Sequence, residues 1–556
     1  MSRRALILLT AVLLLSLLAA CAGRQPATTE VQATTVVERE VTTVVEKEVE
    51  VTRVVEKEVE VTRVVEVEAP PKEPVEKVVV VAETIEPETF DPIMSSGLDW
   101  HAQVWSTVLE TLAWTDPSGN VHPRLAESWE VSDDGLTYTF TLRPDVKFHN
   151  GEPLQADDVV YSFERGQTQG IPMVQQRYQN IVGVEAPDDQ TVVVTLAQPD
   201  NFFLNTIGDP TGIGFSILNR EYGAENRNAI APVGTGPFRF VSYSPNNELV
   251  LEVNREYWNP EDLPDWDRLI IRWFQEDASQ VAALNAGEVD VIQPVSIATS
   301  QSLTDQPGIG KASFPALSFF ISISRIGKTE PPEIPLAISK ALDREALAQI
   351  AFLGEAEPGS TVHPYVEYAL PIEELPNYQR DVEGCKELLA KAGYANGIDV
   401  EFLYPTRNPF EDVIFETIQA SLAECGINIT LAPVEQAVWL DRFLKADYDL
   451  SATDQSWYSN PIRYVLPRVG WQAPVEEVVP ELPPLLEEFS AASPAERPEV
   501  FQKIQRLVAE TGYPFIGTVW VNRSVFWRTD RVENVDTSTR VTNNRRDFYL
   551  SIHPVG

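Results

Sequence analysis

Alternation of apolar and polar positions is clearest between Val121 and Arg165. Tyr138, Phe140 and Leu142 alternate with Thr137, Thr139 and Thr141, the period-two pattern of a strand with one buried face. Asp133-Asp134-Gly135 precedes this strand, and Asn150-Gly151 follows a short apolar run at Val146 and Phe148; both sequences accept positive φ in tight turns. A helix is predicted next. Asp157 or Asp158 caps it, because a side-chain oxygen there accepts an orphan amide hydrogen, and Val159, Val160 and Phe163 form its apolar face.

The same patterns recur along the chain. Val78 to Val81 read as a buried strand, and Val104, Val108 and Leu112 as one helix face at i, i+4 and i+8. Thr191 to Leu196, RFVSY from Arg239 and LVLEVN from Leu249 read as strands. A short helix over Ser279 to Asn285 ends at Gly287 before a buried strand at Val289 to Ile292. SFFISISR from Ser318 is a strand, followed by helices over Leu336–Leu342 and Asp343–Ile350, the second capped by Asp343. Helix CKELLAKAGY, strand IDVEFLY, helix VIFETIQASLAECG and strand INITLA then alternate, so a parallel sheet covered on both faces is the economical arrangement. FIGTVWVN from Phe515 and Val532 to Val535 are the last strands.

Ahead of all this, a ten-residue unit repeats: VTTVVEKEVE, VTRVVEKEVE and VTRVVEVEAP, from Val41 to Pro70. A helical valine stripe would slip about 80° per repeat, so no continuous helical seam forms. Residues 21–77 therefore read as an extended or disordered spacer with a reach of at most about 190 Å, with weak stalk association by β pairing or coiling as the alternative. A monomer is expected.

Arg3 and Arg4 precede an apolar run from Ala5 to Leu18 that spans only about 20 Å as a helix, short of the roughly 30 Å hydrocarbon core. It reads as an export signal, residues 1–20. Leu18-Ala19-Ala20-Cys21 resembles the lipobox at which bacterial prolipoproteins are lipidated and cut, which would place a lipid on Cys21 and anchor the chain to the membrane. The alternative is an ordinary cleaved signal. Cys385 and Cys425 remain; export permits a bridge between them, but two buried free thiols are the expectation, since sequence gives no distance.

Length and charge narrow the classes further. At 556 residues with 43% hydrophobic content, two or three lobes are expected. The formal charge of −40 argues against nucleic acid, which needs clustered Lys and Arg. His101, His122, His149, His363 and His553 lie far apart and give no zinc or nickel pattern. There is no GxSxG elbow and no phosphate loop, because Phe238 and Arg239 occupy the places a loop after Gly234-Thr235-Gly236 would need. No enzyme activity, cofactor or metal is expected.

The ordered run from Val121 to Arg165, with Val233-Gly234-Thr235-Gly236-Pro237-Phe238, ALNAGEVDVI and AISKALDREAL, resembles the extracytoplasmic solute-binding proteins of family 5, the peptide/nickel/opine group that serves ABC importers. The resemblance implies an α/β, two-lobed periplasmic-binding-protein-like fold of type II, the large class with an extra inserted small lobe. It places lobe I at 78–116, 231–313 and 512–556, the small lobe at 117–230 and lobe II at 314–511. It also implies that Trp439 and Trp457, with Tyr458, line a pocket, that the Ser96-Gly97-Leu98 edge pairs with a bound peptide, and that permease transmembrane subunits are partners.

This chain departs from the peptide-binding pattern at two places. Asn460 stands where those members carry an aspartate for the peptide ammonium, and Asp454 where some carry an arginine for its carboxylate. A peptide-like solute is favoured. An oligosaccharide is the alternative, since aromatic platforms with Asn and Asp also suit sugars. A surface sensor or adhesin without transport is a different class, and a hydrolase a third.

Overall fold

The computed structural model of the chain describes residues 76–555, except 88, 95–101, 117–118, 210–213, 225–228, 294–295, 367, 407–410, 456–464, 466–477, 494, 514 and 538–544. The export signal, Cys21 and the repeat stalk lie outside the described residues. No helix among the described residues is long and apolar enough to cross a membrane.

Val78–Glu83 forms β1 as predicted, its branched side chains suiting a pleated, buried surface. The helix that follows, Ala102–Val108, does not run on to Leu112 as its spacing predicts. Its end is set from far along the chain. The Gly236 N–H donates to the Val108 carbonyl at 3.0 Å, and a Cβ on Gly234 would overlap that same oxygen, so the glycine turn at Val233 to Phe238 exists to let two backbones touch.

β2 (Ala113–Thr115) and β3 (Val121–Pro123) make a hairpin. β4 (Ala126–Val131), β5 (Thr137–Leu142), β6 (Ile181–Asp188) and β7 (Thr191–Leu196) form an antiparallel sheet in the order β4-β5-β7-β6. Tyr138, Phe140 and Leu142 are buried, as their alternation predicts. The helix Ala156–Gln169 is capped by Gln155, two residues before Asp157 and three before Asp158. Asp158 therefore sits in its first turn and reaches back to the Gln155 N–H at 3.0 Å, while its other oxygen accepts from the Arg220 N–H at 2.9 Å. At the far end of the same stretch Arg165 pairs with Asp91, both all but fully buried, with Nη1 to Oδ1 at 2.9 Å.

The remaining strands are β8 (Phe238–Ser244), β9 (Glu248–Val253), β10 (Arg268–Trp273), β11 (Val291–Ile292), β12 (Ile309–Ile323), β13 (Ala356–Pro358), β14 (Ile398–Pro405), β15 (Ile427–Val434), β16 (Leu450–Gln455), β17 (Phe515–Arg528), β18 (Val532–Val535) and β19 (Ile552–Pro554). β18 and β19 pair with each other. The others share one sheet, β15-β14-β16-β12-β17-β11-β1-β10-β9-β8, with β13 added on β17. Its centre is the antiparallel pair β12 and β17, of 15 and 14 residues, long enough to belong to both halves.

Two large apolar cores fill the halves. The first joins Val79, Leu269 and Ile271 of the main sheet to Phe140 and Leu142 of the smaller one and Phe163 of the helix Ala156–Gln169. The second packs Val400, Phe402 and Tyr404 of β14 with Ile414 and Ile418 of the helix Glu411–Ala423. Leu403, between them on the opposite face, packs with Phe443 of the helix Gln436–Leu444, so this parallel part is covered on both faces as expected.

Local departures have local causes. The predicted helix Asp343–Ile350 is a single turn, Arg344–Ala346, capped by Asp343 Oδ1 on the Ala346 N–H at 2.9 Å; it then widens into a π turn over Leu347–Ala351. The expectation of two free thiols is wrong. Cys385 and Cys425 are bonded, their Cα atoms 6.1 Å apart, because Cys385 on the helix Val382–Lys391 and Cys425 just past the helix Glu411–Ala423 converge on one core.

Candidate functional site

Strand directions locate the site. β1 runs parallel to β10 and β11, and β11 runs antiparallel to β17, so all three point toward the middle of the β12/β17 pair. From the other half, β14 runs parallel to β15 and β16, and β16 is antiparallel to β12, with Gln455 opposite Ser318. The carboxyl ends of both halves therefore face the same crossing. Ligands in open α/β sheets bind outside the carboxyl ends of the strands, where the connections diverge.

The crossing itself is irregular. The β12/β17 register shifts between Pro315 and Leu317 and again between Phe319 and Phe320, while Ser318 lies opposite Trp520. Proline offers no ladder N–H and a bulge bends the strand, so the two halves join at a bend point. Beside it runs the segment after β13. Gly359 donates its N–H to the Thr518 carbonyl at 3.0 Å, and a Cβ there would collide with Trp520.

His363 packs edge-on against Trp520, ring centroids 4.4 Å apart. Its Nδ1 accepts the Tyr365 N–H at 3.1 Å, which leaves the proton of the neutral ring on Nε2. Neither His363 Nε2 nor Trp520 Nε1 has a hydrogen-bond partner among the described residues. Burial pushes the His363 pKa down to about 3, against a weaker upward pull from the nearby Pro315 carbonyl.

An acid-stability result follows. The ring is fully buried, and its folded pKa of about 3 lies below the unfolded value of 6.5, so the unfolded chain binds more protons between those limits. Stability from this group is complete above pH 6.5 and falls by about 3 kcal/mol by pH 4. Urea unfolding across that range should show the slope, to which His149, its pKa pushed down to about 4 by burial, also contributes; His363→Gln should reduce the slope by roughly half, and an unchanged slope would remove His363 from the account.

Of the sequence-derived site residues, the described ones are Asp454 and Trp439. Asp454 is on β16, its backbone opposite Phe319. Ser96, Gly97, Leu98, Trp457, Tyr458 and Asn460 lie outside the described residues. In the chain the first three come shortly after the carboxyl end of β1 and the others directly after that of β16. Trp439 is half-buried on the helix Gln436–Leu444, stacked on Phe443 at 5.0 Å. Its indole N–H donates to Ser451 Oγ at 3.0 Å, and that hydroxyl donates to the Leu403 carbonyl at 2.9 Å. Trp439 thus pins its helix to β14 and β16, three positions before Asp454 on the same strand.

Trp520 and His363 were not singled out from sequence. Alternation in FIGTVWVN gives Trp520 a face but not what lies against it, and His363 carries no motif. Among the described residues no group of three or more His, Cys, Asp or Glu is placed to hold a metal ion.

A sheet in two halves, joined through two crossing strands with strand ends facing the join, defines a two-lobed binding protein. Solved structures share this fold: the chain superposes on the periplasmic binding protein DppA of Helicobacter pylori, solved in complex with peptide STSA, with a TM-score of 0.67 at 23% identity, over 86% of this chain and 98% of that one. The chain belongs to the bacterial extracellular solute-binding proteins, family 5, whose middle region matches residues 120–470. It is a solute binder and not an enzyme. Among relatives, it is 28% identical to heme-binding protein A of Haemophilus influenzae over 425 residues, 69% of this chain and 75% of that one. It is also 28% identical to di/tripeptide-binding protein 1 of Pseudomonas aeruginosa over 402 residues, 65% and 73% respectively.

Proposed function

We propose that this chain captures a peptide-like solute between two lobes, divided as 78–116, 231–313 and 512–556 against 314–511 with 117–230 as the inserted small lobe, and delivers it to an ABC permease. The supporting observation is the crossing of β12 and β17 at a bulge, with the carboxyl ends of both half-sheets facing it. A ligand touching both halves binds the closed form better than the open one, so closure is a population shift about these strands. The binding of di- and tripeptides by a relative, and the peptide seated in a structure of the same fold, favour this solute class over an oligosaccharide.

Trp439, Trp457 and Tyr458 supply flat apolar contact, the Ser96-Gly97-Leu98 edge supplies backbone pairing, and Asp454 with Asn460 sets the terminus preference. Cys21 would carry the lipid that holds the protein at the membrane, with the repeat stalk as spacer. Mass spectrometry of the solute released on denaturing freshly purified protein tests the class: short peptides are expected, and an oligosaccharide would replace this reading.

Asn460 gives a sharper result. A neutral amide lacks the Coulomb attraction a carboxylate has for an ammonium, so Asn460→Asp should tighten binding of a free-amino peptide by about tenfold and leave an N-acetylated one unchanged. Equal effects on both, read by fluorescence titration, would take position 460 away from the peptide terminus.

A further inference from the structure

A pocket lies between the β2–β3 hairpin, the connection leading into β10 and the helix Arg545–Leu550. Its volume is about 350 Å³, and Trp114, Arg124, Trp258, Asn259, Asp262 and Arg546 line it. Trp258, Asn259 and Asp262 belong to the connection that leads into the amino end of β10. β10 runs six residues, about 20 Å, toward the crossing, so this pocket lies a strand's length from the end of β10 that faces the crossing.

The pocket holds a cation with unspent hydrogen-bonding capacity. Arg124 is 7% exposed, yet its guanidinium makes no hydrogen bond among the described residues. The nearest carboxylate is Glu110, with Oε1 4.0 Å from Arg124 Nε, too far to accept. Glu110 is occupied: it accepts from Tyr257 Oη at 2.7 Å, Trp258 Nε1 at 3.0 Å and Thr235 Oγ1 at 3.0 Å. Arg546, by contrast, is committed, with Nη2 donating to Tyr257 Oη at 2.9 Å and Asp262 Oδ2 at 3.0 Å, and Nη1 to Asp547. Burial lowers the Arg124 pKa first and the like charge of Arg546 lowers it further, against smaller upward pulls from Asp547, Glu110 and Tyr257. A buried guanidinium left so is costly unless a partner arrives.

We propose that this pocket is a binding site for a small ring-bearing carboxylate, seated on Arg124 between Trp114 and Trp258. The Arg124 guanidinium, ion-paired with Glu110 at 4.0 Å but donating no hydrogen bond among the described residues, matches one carboxylate, whose two oxygens accept a parallel pair of N–H donors. Glu110, Asp262 and Asp547 already outnumber Arg124 and Arg546 here, so a singly charged carboxylate meets less repulsion than a phosphate dianion. Trp114, stacked on His122 at 4.8 Å with Arg124 over its ring at 5.6 Å, and Trp258, with Arg143 over its ring at 4.5 Å, leave their remaining indole surface as aromatic wall, so a planar body packs beside charges that are already placed. The volume suits a molecule of one or two rings.

Saturation-transfer NMR and calorimetry on the full chain with benzoate, benzamide and inorganic phosphate test the site. Wild-type protein should bind benzoate saturably, benzamide at least tenfold more weakly, and phosphate no better than benzamide. Arg124→Gln should weaken benzoate at least tenfold while cleft-solute binding stays unchanged, which separates this site from the proposed transport function. Should Arg124→Gln fail to fold, Trp114→Leu on the β2–β3 hairpin decides, with a fivefold or greater loss expected. No saturation by benzoate, equal affinity in the variant that folds, or phosphate binding as tightly as benzoate would each overturn the assignment.

Discussion

Asp91→Ala should cost about 3–5 kcal/mol of stability, the penalty for leaving one member of a buried ion pair without its partner. Arg165 and Asp91 are 5% and 3% exposed at their side chains and meet through two guanidinium nitrogens, so water cannot stand in for the missing carboxylate. Asp91 also accepts the Ile93 N–H at 3.3 Å, and its own N–H is held by Thr89 Oγ1 at 3.1 Å, fixing the turn that follows β1. The pair therefore ties that turn to the helix Ala156–Gln169. Chemical unfolding, read on the transition that empties the first core, measures the loss. Asp91→Ala combined with Arg165→Met should recover much of it, because two apolar residues leave no stranded charge; a double variant as weak as the single one would mean that the turn matters and the charge does not.

Removing the bridge between Cys385 and Cys425 should cost about 4 kcal/mol, from the loop entropy returned to the unfolded chain. The two residues are 40 apart in sequence and buried in the second core, at 0% and 5% exposure. Cys385→Ser with Cys425→Ser should shift the unfolding of that core and leave the first core unmoved. Mild reductant applied to the native protein should do nothing, since the sulfurs are out of reach until the core opens. Reduction of the folded protein on mixing would contradict that placement.

These two features show where the sequence stopped being legible. Strands were readable because their signal is local: Thr137 to Leu142 alternates over six residues, and the structure buries the residues that alternation selects. The helix end at Val108 was not, because its cause is the glycine turn around Gly234 and Gly236, more than a hundred residues later. Arg165 closes the most recognisable stretch in the chain, yet nothing local says that it touches Asp91. The cysteines failed for the same reason: helix positions were readable, but the distance between two helices was not.

The site divides similarly. The alternation of helices and strands gave a parallel sheet, but not β16 or the strand order that brings Asp454 and the ends of β1 and β16 to one crossing, because pairing partners lie far apart in the chain. The role of Trp439 was legible only in part. Its indole N–H is committed to Ser451, so it holds its helix in place and has only the exposed part of the ring to offer a solute. Arg124 shows the opposite failure, since in sequence it is one basic residue in an acidic chain, and only packing reveals it as a buried cation whose nearest carboxylate is otherwise engaged.

Titration calorimetry of the folded protein with a mixed pool of short peptides, and in parallel with cello- and xylo-oligosaccharides, addresses solute capture most directly. Saturable one-to-one binding of peptides, with a negative heat-capacity change from the apolar surface buried as the halves close, is the expected result. Tight binding of an oligosaccharide with none of the peptides would contradict it.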